Sequence, residues 1–172
     1  MKSEVQLENP MRKIKIEKIL LSAGATGDDL VKAKKLLEIV SGKKAQILSS
    51  NKRIPEFDVR PGLEVGTRVT LRGEEAVALL KRLLGAINNE IKKKQFSDNH
   101  FSFGIKEYIE IPGIEYQRDI GIRGFNVTVV FIRAGIRVKL KKIKRGRVPR
   151  KQFVSKDEIS NYMKEVFNTK IK

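Results

Sequence analysis

Apolar positions along the chain fall into two periods. Residues 13–21 read Lys-Ile-Lys-Ile-Glu-Lys-Ile-Leu-Leu, alternating at first and then continuously apolar. A period of two that gives way to an unbroken run predicts a strand buried more deeply in its second half. Ser22 to Asp29 then turns the chain into a helix. Leu30, Ala33, Leu36, Leu37 and Val40 recur at helical spacing, while Lys32, Lys34 and Lys35 face away. Asp28 is placed to cap the start, the Asp28-Asp29 pair suits the positive end of the helix dipole, and Gly42 suits a left-handed stop. A second helix opens after Gly73 with Glu74 and Glu75 in its first turn. Its apolar face is Ala76, Leu79, Leu80, Leu83, Leu84 and Ile87, widened by Val77 and Ile91, and Lys92, Lys93 and Lys94 close it.

The remaining patterns are strands, with one last helix. Residues 43–48 predict a short strand opened by Lys43 and Lys44, and residues 100–105 alternate as a strand does. Tyr108-Ile109-Glu110-Ile111 reads as a short extended piece stopped by Pro112-Gly113. Residues 125–132, Phe-Asn-Val-Thr-Val-Val-Phe-Ile, are β-branched and aromatic enough to predict a central strand. Gly121 and Gly124 just before it permit a bend or a close approach. Ser155 and Glu158 stand at capping-box spacing. Ile159, Tyr162, Met163, Val166 and Phe167 then form one stripe, so a helix over 155–168 packs back on the body.

After the second predicted strand comes Ser49 to Gly73, which starts as a basic loop and ends in the third strand. Its first part, 49–66, carries Lys52, Arg53 and Arg60 among Pro55, Pro61, Gly62 and Gly66. Prolines exclude a central strand there, so a basic loop is expected to protrude from the body. In Arg68-Val69-Thr70-Leu71-Arg72 the alternation puts Val69 and Leu71 on one face and the arginines with Thr70 on the other. Residues 1–10 are polar and read as a tail or short cap. The order of elements predicts an α+β fold in a single domain over 1–172: a mostly antiparallel sheet covered on one face by helices.

Charge then narrows the function. The chain has 37 Lys and Arg against 20 Asp and Glu, a formal net charge of +17, an imbalance that a polyanionic partner relieves. Eight of the thirteen residues in 139–151 are basic and none is acidic. There is no cysteine, which excludes disulfides and thiolate metal sites. No apolar run reaches the length of a membrane span, and the start has no signal-peptide core, so a cytoplasmic protein is expected.

Catalytic readings are outweighed one by one. Gly24-Ala25-Thr26-Gly27 sits where a phosphate-binding turn could, but its spacing matches neither a Walker loop nor a dinucleotide fingerprint; a helix-entry turn accounts for it. His100 is the only histidine and cannot build a metal cluster with Asp98 and Glu107. Glu74 and Glu75 are explained by the helix dipole. No enzyme, cofactor or metal is expected. The cations are spread over Lys43-Lys44, 52–60, Arg68 with Arg72, and 139–151. Such spreading fits a shaped surface for folded RNA better than a groove-reading helix. The alternative from composition is another basic module for structured RNA or for an anionic surface, without catalysis.

Three motifs in order then carry a resemblance: Ile16-Glu17-Lys18-Ile19 leading to Ser22-Ala23-Gly24; Arg60-Pro61-Gly62 through Gly66 to Val69-Thr70-Leu71-Arg72-Gly73; and Gly121-Ile122-Arg123-Gly124-Phe125-Asn126-Val127. With Arg147-Val148-Pro149-Arg150 and the terminal helix, the chain resembles the ribosomal protein L5 (uL5) family of the large subunit, in its archaeal and eukaryotic branch. The resemblance implies a component of the central protuberance, in the cytoplasmic ribosome. It implies binding to 5S rRNA and to large-subunit rRNA, and a loop that meets P-site tRNA. It also implies an intersubunit bridge to small-subunit protein S13, and the 5S-binding protein L18 as a neighbour. Carried onto this chain, 5S rRNA contacts fall on Ser22, Lys43, Lys44, Thr70, Arg72 and Asn126. Ser22 stands where many members have asparagine, Lys43 where many have glutamine, and Asn126 where aspartate is common. Lys52, Arg53 and Arg60 are the loop contacts, and Lys141, Lys142, Lys144, Arg145, Arg147 and Arg150 the contacts to rRNA backbone.

Overall fold

The computed structural model describes residues 10–172; the polar tail expected over 1–10 lies, but for Pro10, outside them. Pro10–Arg12 form a short 3-10 turn, and strand β1 follows at Lys15–Gly24. Helix α1 spans Asp28–Ser41, strand β2 Gln46–Ser49, strand β3 Glu64–Leu71 and helix α2 Glu74–Ala86. Two-residue strands β4, Glu90–Ile91, and β5, Phe96–Ser97, precede β6 at His100–Ile105 and β7 at Phe125–Ile132. One helical turn, α3, occupies Arg137–Leu140, helix α4 spans Lys156–Phe167, and β8 closes at Lys170–Ile171.

Six strands form one sheet in the order β2-β3-β1-β7-β6-β5, antiparallel at every pairing. Because β3 enters antiparallel between β1 and β2, the β1-α1-β2 unit is a split crossover. The fold is α+β, as the sequence pattern predicts. β4 and β8 pair separately and in parallel.

Side chains sort cleanly by face. β6 alternates exposed and buried at every position, and β7 buries Phe125, Val127, Val129 and Phe131. These join Ile19, Leu21, Val69, Leu71, Phe101 and Phe103 in a core with the apolar stripes of the helices: Leu36, Leu37 and Val40 from α1, Leu80, Leu83 and Leu84 from α2, Ile159 and Met163 from α4. Phe101 and Phe103 stack with centroids 5.9 Å apart, and Tyr162 of α4 meets Phe131 edge-on at 5.7 Å.

Several local expectations are corrected. β1 continues through Gly24 instead of turning at Ser22, because Ser22 is paired on both sides, with Arg68 and Asn126. Gly27, at φ 61°, occupies the cap of α1, which pushes Asp28 into the first turn. α2 ends at Ala86, and Asn88 and Asn89 adopt left-handed conformations. Ile91 therefore belongs to β4, and Lys92 to Lys94 follow that strand instead of closing the helix. Tyr108–Glu110 is a 3-10 turn, not an extended piece. Val166 is 49% exposed, outside the buried stripe of α4. The capping box at Ser155 and Glu158, and the left-handed Gly42, stand as expected.

Two glycines before β7 are required by geometry. Gly121 has φ 70°. A Cβ on Gly124 would lie 2.5 Å from the Ile105 carbonyl oxygen and 2.6 Å from that of Lys106. Only a bare backbone passes so close to the end of β6.

Candidate nucleic-acid interface

Alternation gives every core-facing strand residue a neighbour that faces the opposite way, and the register turns those neighbours into rows. One row runs Gln46, Arg68, Ser22, Asn126, Gly104 across β2, β3, β1, β7 and β6. The next runs Thr70, Leu20, Thr128, Ser102, and a third Lys18, Val130, His100. Each of these positions is exposed or half-buried. The helices bury their stripes in the core on the other side, so this face stays uncovered. Hydroxyl, amide and imidazole groups dominate it, with Arg68 Nε donating to Gln46 Oε1 at 3.2 Å. Such a surface offers donors and acceptors at strand spacing, with few carboxylates to repel phosphate.

The expected 5S contacts are divided by the fold. Ser22 and Asn126 are direct cross-strand partners, and Thr70 stands in the adjoining row. Arg72 is exposed one residue past β3. The Asn126 amide oxygen approaches Gly104 so closely that a Cβ there would sit 3.2 Å from it. At this end of the face Ser22, Gly24, Gly104, Lys106, Gly124 and Asn126 line a depression of about 480 Å³. Lys43 is elsewhere: it follows the left-handed end of α1 and its ammonium pairs with Glu75 in the first turn of α2. Lys44 is exposed in the connection to β2. Gln46, Ser102 and Thr128 belong to the face but escape single-strand reasoning, because their membership follows from strand order. The alternation of residues 100–105 was the one signal pointing to Ser102.

The basic loop has more internal order than its prolines imply. Ser50 N–H donates to the Leu63 carbonyl and Gly62 N–H to that of Ser50, each at 2.8 Å. Further out, Ile54 and Val59 form an antiparallel bridge, and Pro55–Phe57 make a 3-10 turn between them. Lys52, Arg53 and Arg60 are all exposed.

The second basic segment lies against one end of the uncovered face. A groove of about 280 Å³ is lined by Lys18, Val130 and Ile132 on one side and by Ile136, Lys139, Val148 and Phe153 on the other. Lys141, Lys142, Lys144, Arg145, Arg147 and Arg150 are exposed, and Gly146 N–H closes the segment on the Val138 carbonyl at 3.1 Å. It is tethered at its far end, where Arg133 Nη1 donates to the Lys151 carbonyl at 3.3 Å, while the same guanidinium reaches Glu158 at 2.5 Å. Burial pushes the Glu158 carboxyl up, but the Ser155 amide and the Arg133 guanidinium outweigh it and hold the group below the ordinary glutamate range. Among the described residues no group of three or more His, Cys, Asp or Glu side chains is placed to hold a metal ion, and no helix is long and apolar enough to cross a membrane.

Comparison with known proteins gives the family of the chain. Residues 64–146, from the start of β3 to the middle of the basic segment, match the model of the ribosomal L5 family C-terminus. The chain is 40% identical over 168 residues to the large ribosomal subunit protein uL5 of Nanoarchaeum equitans, covering 96% of this chain and 99% of that one. It is 38% identical over 173 residues to uL5 of Sulfurisphaera tokodaii, covering 98% of each. To uL5 of Methanosphaera stadtmanae it is 39% identical over 166 residues, covering 95% of this chain and 99% of that one. The chain belongs to the uL5 family of large-subunit ribosomal proteins.

Proposed function

We propose that the uncovered sheet face binds 5S rRNA and helps attach it to the central protuberance. Membership of the family makes the chain a structural, non-catalytic component of the large ribosomal subunit, working in the cytoplasm. The observation that carries the finer reading is the one-sidedness of the sheet: three helices are spent on one face, and the other is left polar, rowed and uncovered. Thr70, Ser22 and Asn126 supply hydrogen bonds to sugar and base edges there. Arg68 and Arg72 supply phosphate contacts at the same side. The segment 139–151 borders this face and adds backbone contacts from Lys141, Lys142, Lys144, Arg145, Arg147 and Arg150.

The other contacts are those the resemblance implies, and charge and exposure support where they would fall. Loop 50–63 carries Lys52, Arg53 and Arg60 toward P-site tRNA. Residues 107–119 are the exception on a basic protein: Glu107, Glu110, Glu115 and Asp119 are exposed, beside exposed Ile109 and Tyr116. That acidic, partly apolar surface suits a cationic protein, and we assign to it the bridge to small-subunit protein S13. L18 is the expected neighbour on the same RNA.

Purified protein should prefer 5S rRNA over unrelated RNA of equal length in competition filter binding. Thr70→Ala with Asn126→Ala should reduce that preference without changing the unfolding midpoint. Equal affinity for both RNAs in the native chain contradicts the proposal.

A further inference from the structure

The tip of the 50–63 loop presents a ring to solvent in a fixed setting. Phe57 is 73% exposed, whereas Val59, two residues on, is 5% exposed. The tip is not slack. Ile54 N–H donates to the Val59 carbonyl at 2.9 Å and Val59 N–H returns to Ile54 at 3.1 Å. Asp58 takes a left-handed conformation, φ 51°, and its N–H donates to the Pro55 carbonyl at 3.1 Å. Phe57 is thus held at the apex of a turn closed by a bridge, and a rigid aromatic loses little freedom on contact.

The charges around it are layered. Arg53 and Arg60 stand directly behind the isolated Ile54–Val59 bridge, one on each arm of the turn. Both are exposed, and neither joins an ion pair among the described residues. An anion beside them meets two unengaged guanidinium groups. At the apex itself Phe57 is flanked by Glu56 and Asp58, both exposed. Two carboxylates repel a phosphate from the tip and accept hydrogen bonds from amino groups. A neutral planar ring bearing an exocyclic amine satisfies the tip, and a phosphate one step behind satisfies the arginine pair. Those two groups occur together in an unstacked nucleotide.

We infer that Phe57 is a stacking platform for one unpaired, amine-bearing nucleobase of RNA, with Arg53 and Arg60 taking the adjoining phosphate. This deepens the reading of the loop as an RNA contact and rests on it. It is independent of whether the sheet binds 5S rRNA. Protein side chains on a partner would also cover an exposed ring, but two exposed arginines directly behind it favour a polyanion.

The native chain has no tryptophan, so Phe57→Trp gives a single reporter. The full-length variant is titrated with end-labelled RNA hairpins whose loops present one unpaired cytosine, adenine or uracil, and binding is read on the label. Emission of the introduced indole should be quenched in step with binding, more strongly for cytosine and adenine than for uracil. Phe57→Leu should weaken the hairpin by roughly tenfold and leave 5S rRNA affinity unchanged. Hairpins that fail to bind, that bind without quenching, or whose affinity ignores Phe57→Leu overturn the inference, and so does equal weakening of both RNAs. An indole indifferent to hairpins yet shielded from acrylamide in assembled subunits overturns it as well, since a protein then covers the tip. Loss of 5S preference with the quenching intact would overturn the sheet reading alone.

Discussion

A methyl group at Gly124 would meet two carbonyl oxygens at 2.5 and 2.6 Å, and backbone on the end of β6 has little room to retreat. Gly124→Ala is therefore expected to cost about 1–3 kcal/mol through overpacking, measured by urea unfolding; a midpoint equal to the native one contradicts the close approach. Val129, fully buried between Ile19 and Phe101 in register, should be destabilised by the opposite change in volume. Val129→Ala leaves a cavity and should cost roughly 2–4 kcal/mol. At this scale the sequence was legible where one residue answers one local demand. Gly42 and the Ser155–Glu158 box could be read directly. The pairings of Lys43 with Glu75 and of Arg123 with Asp29 could not, since each joins residues brought together only by tertiary packing.

Elements were legible where a period persisted. Residues 100–105, read from their alternation, and 125–132, read from their β-branched and aromatic run, carry strands at the expected bounds. Short pieces were not: β4, β5 and β8 have two residues each, too few for any period, and exist because neighbours supply hydrogen bonds. α2 was read too long because Asn88 and Asn89, which end the helical path in left-handed conformations, are weaker stop signals than glycine. The element most exposed to solution conditions is α4. Its Glu158 is held below the ordinary glutamate range, so the contribution of that group is present at neutral pH and fades as the pH falls through the lowered value. Tyr162 against Phe131 reports it: the near-ultraviolet dichroism of the native chain should decline in acid before global unfolding. Glu158→Gln should remove that pH dependence, and a profile identical to the native one would contradict the role of the carboxylate.

At the scale of the molecule, charge and one-sided burial act together. The net charge of +17 announced a polyanion, but only strand order shows that Ser22, Thr70 and Asn126 share an uncovered face while Lys43 does not. Counterion release predicts that 5S rRNA affinity falls on the order of a thousandfold between 50 and 200 mM salt for six or more phosphate contacts. Arg53→Gln with Arg60→Gln should leave both folding and this affinity unchanged, and weaken only the RNA contact of the 50–63 loop; a thermal shift as large as that of Val129→Ala would contradict that division. Neutralising Lys141, Lys142, Lys144 and Arg145 should lower affinity for all RNAs and reduce the salt slope, because phosphate contacts carry no sequence information. The sharpest measurement is protection of the sheet itself. In hydroxyl-radical footprinting of the complex with 5S rRNA, Leu20, His100 and Val130, on the uncovered face, should lose reactivity, while exposed Val31 and Ile39 of α1 keep theirs. Protection of α1 with an unchanged sheet face would contradict the account.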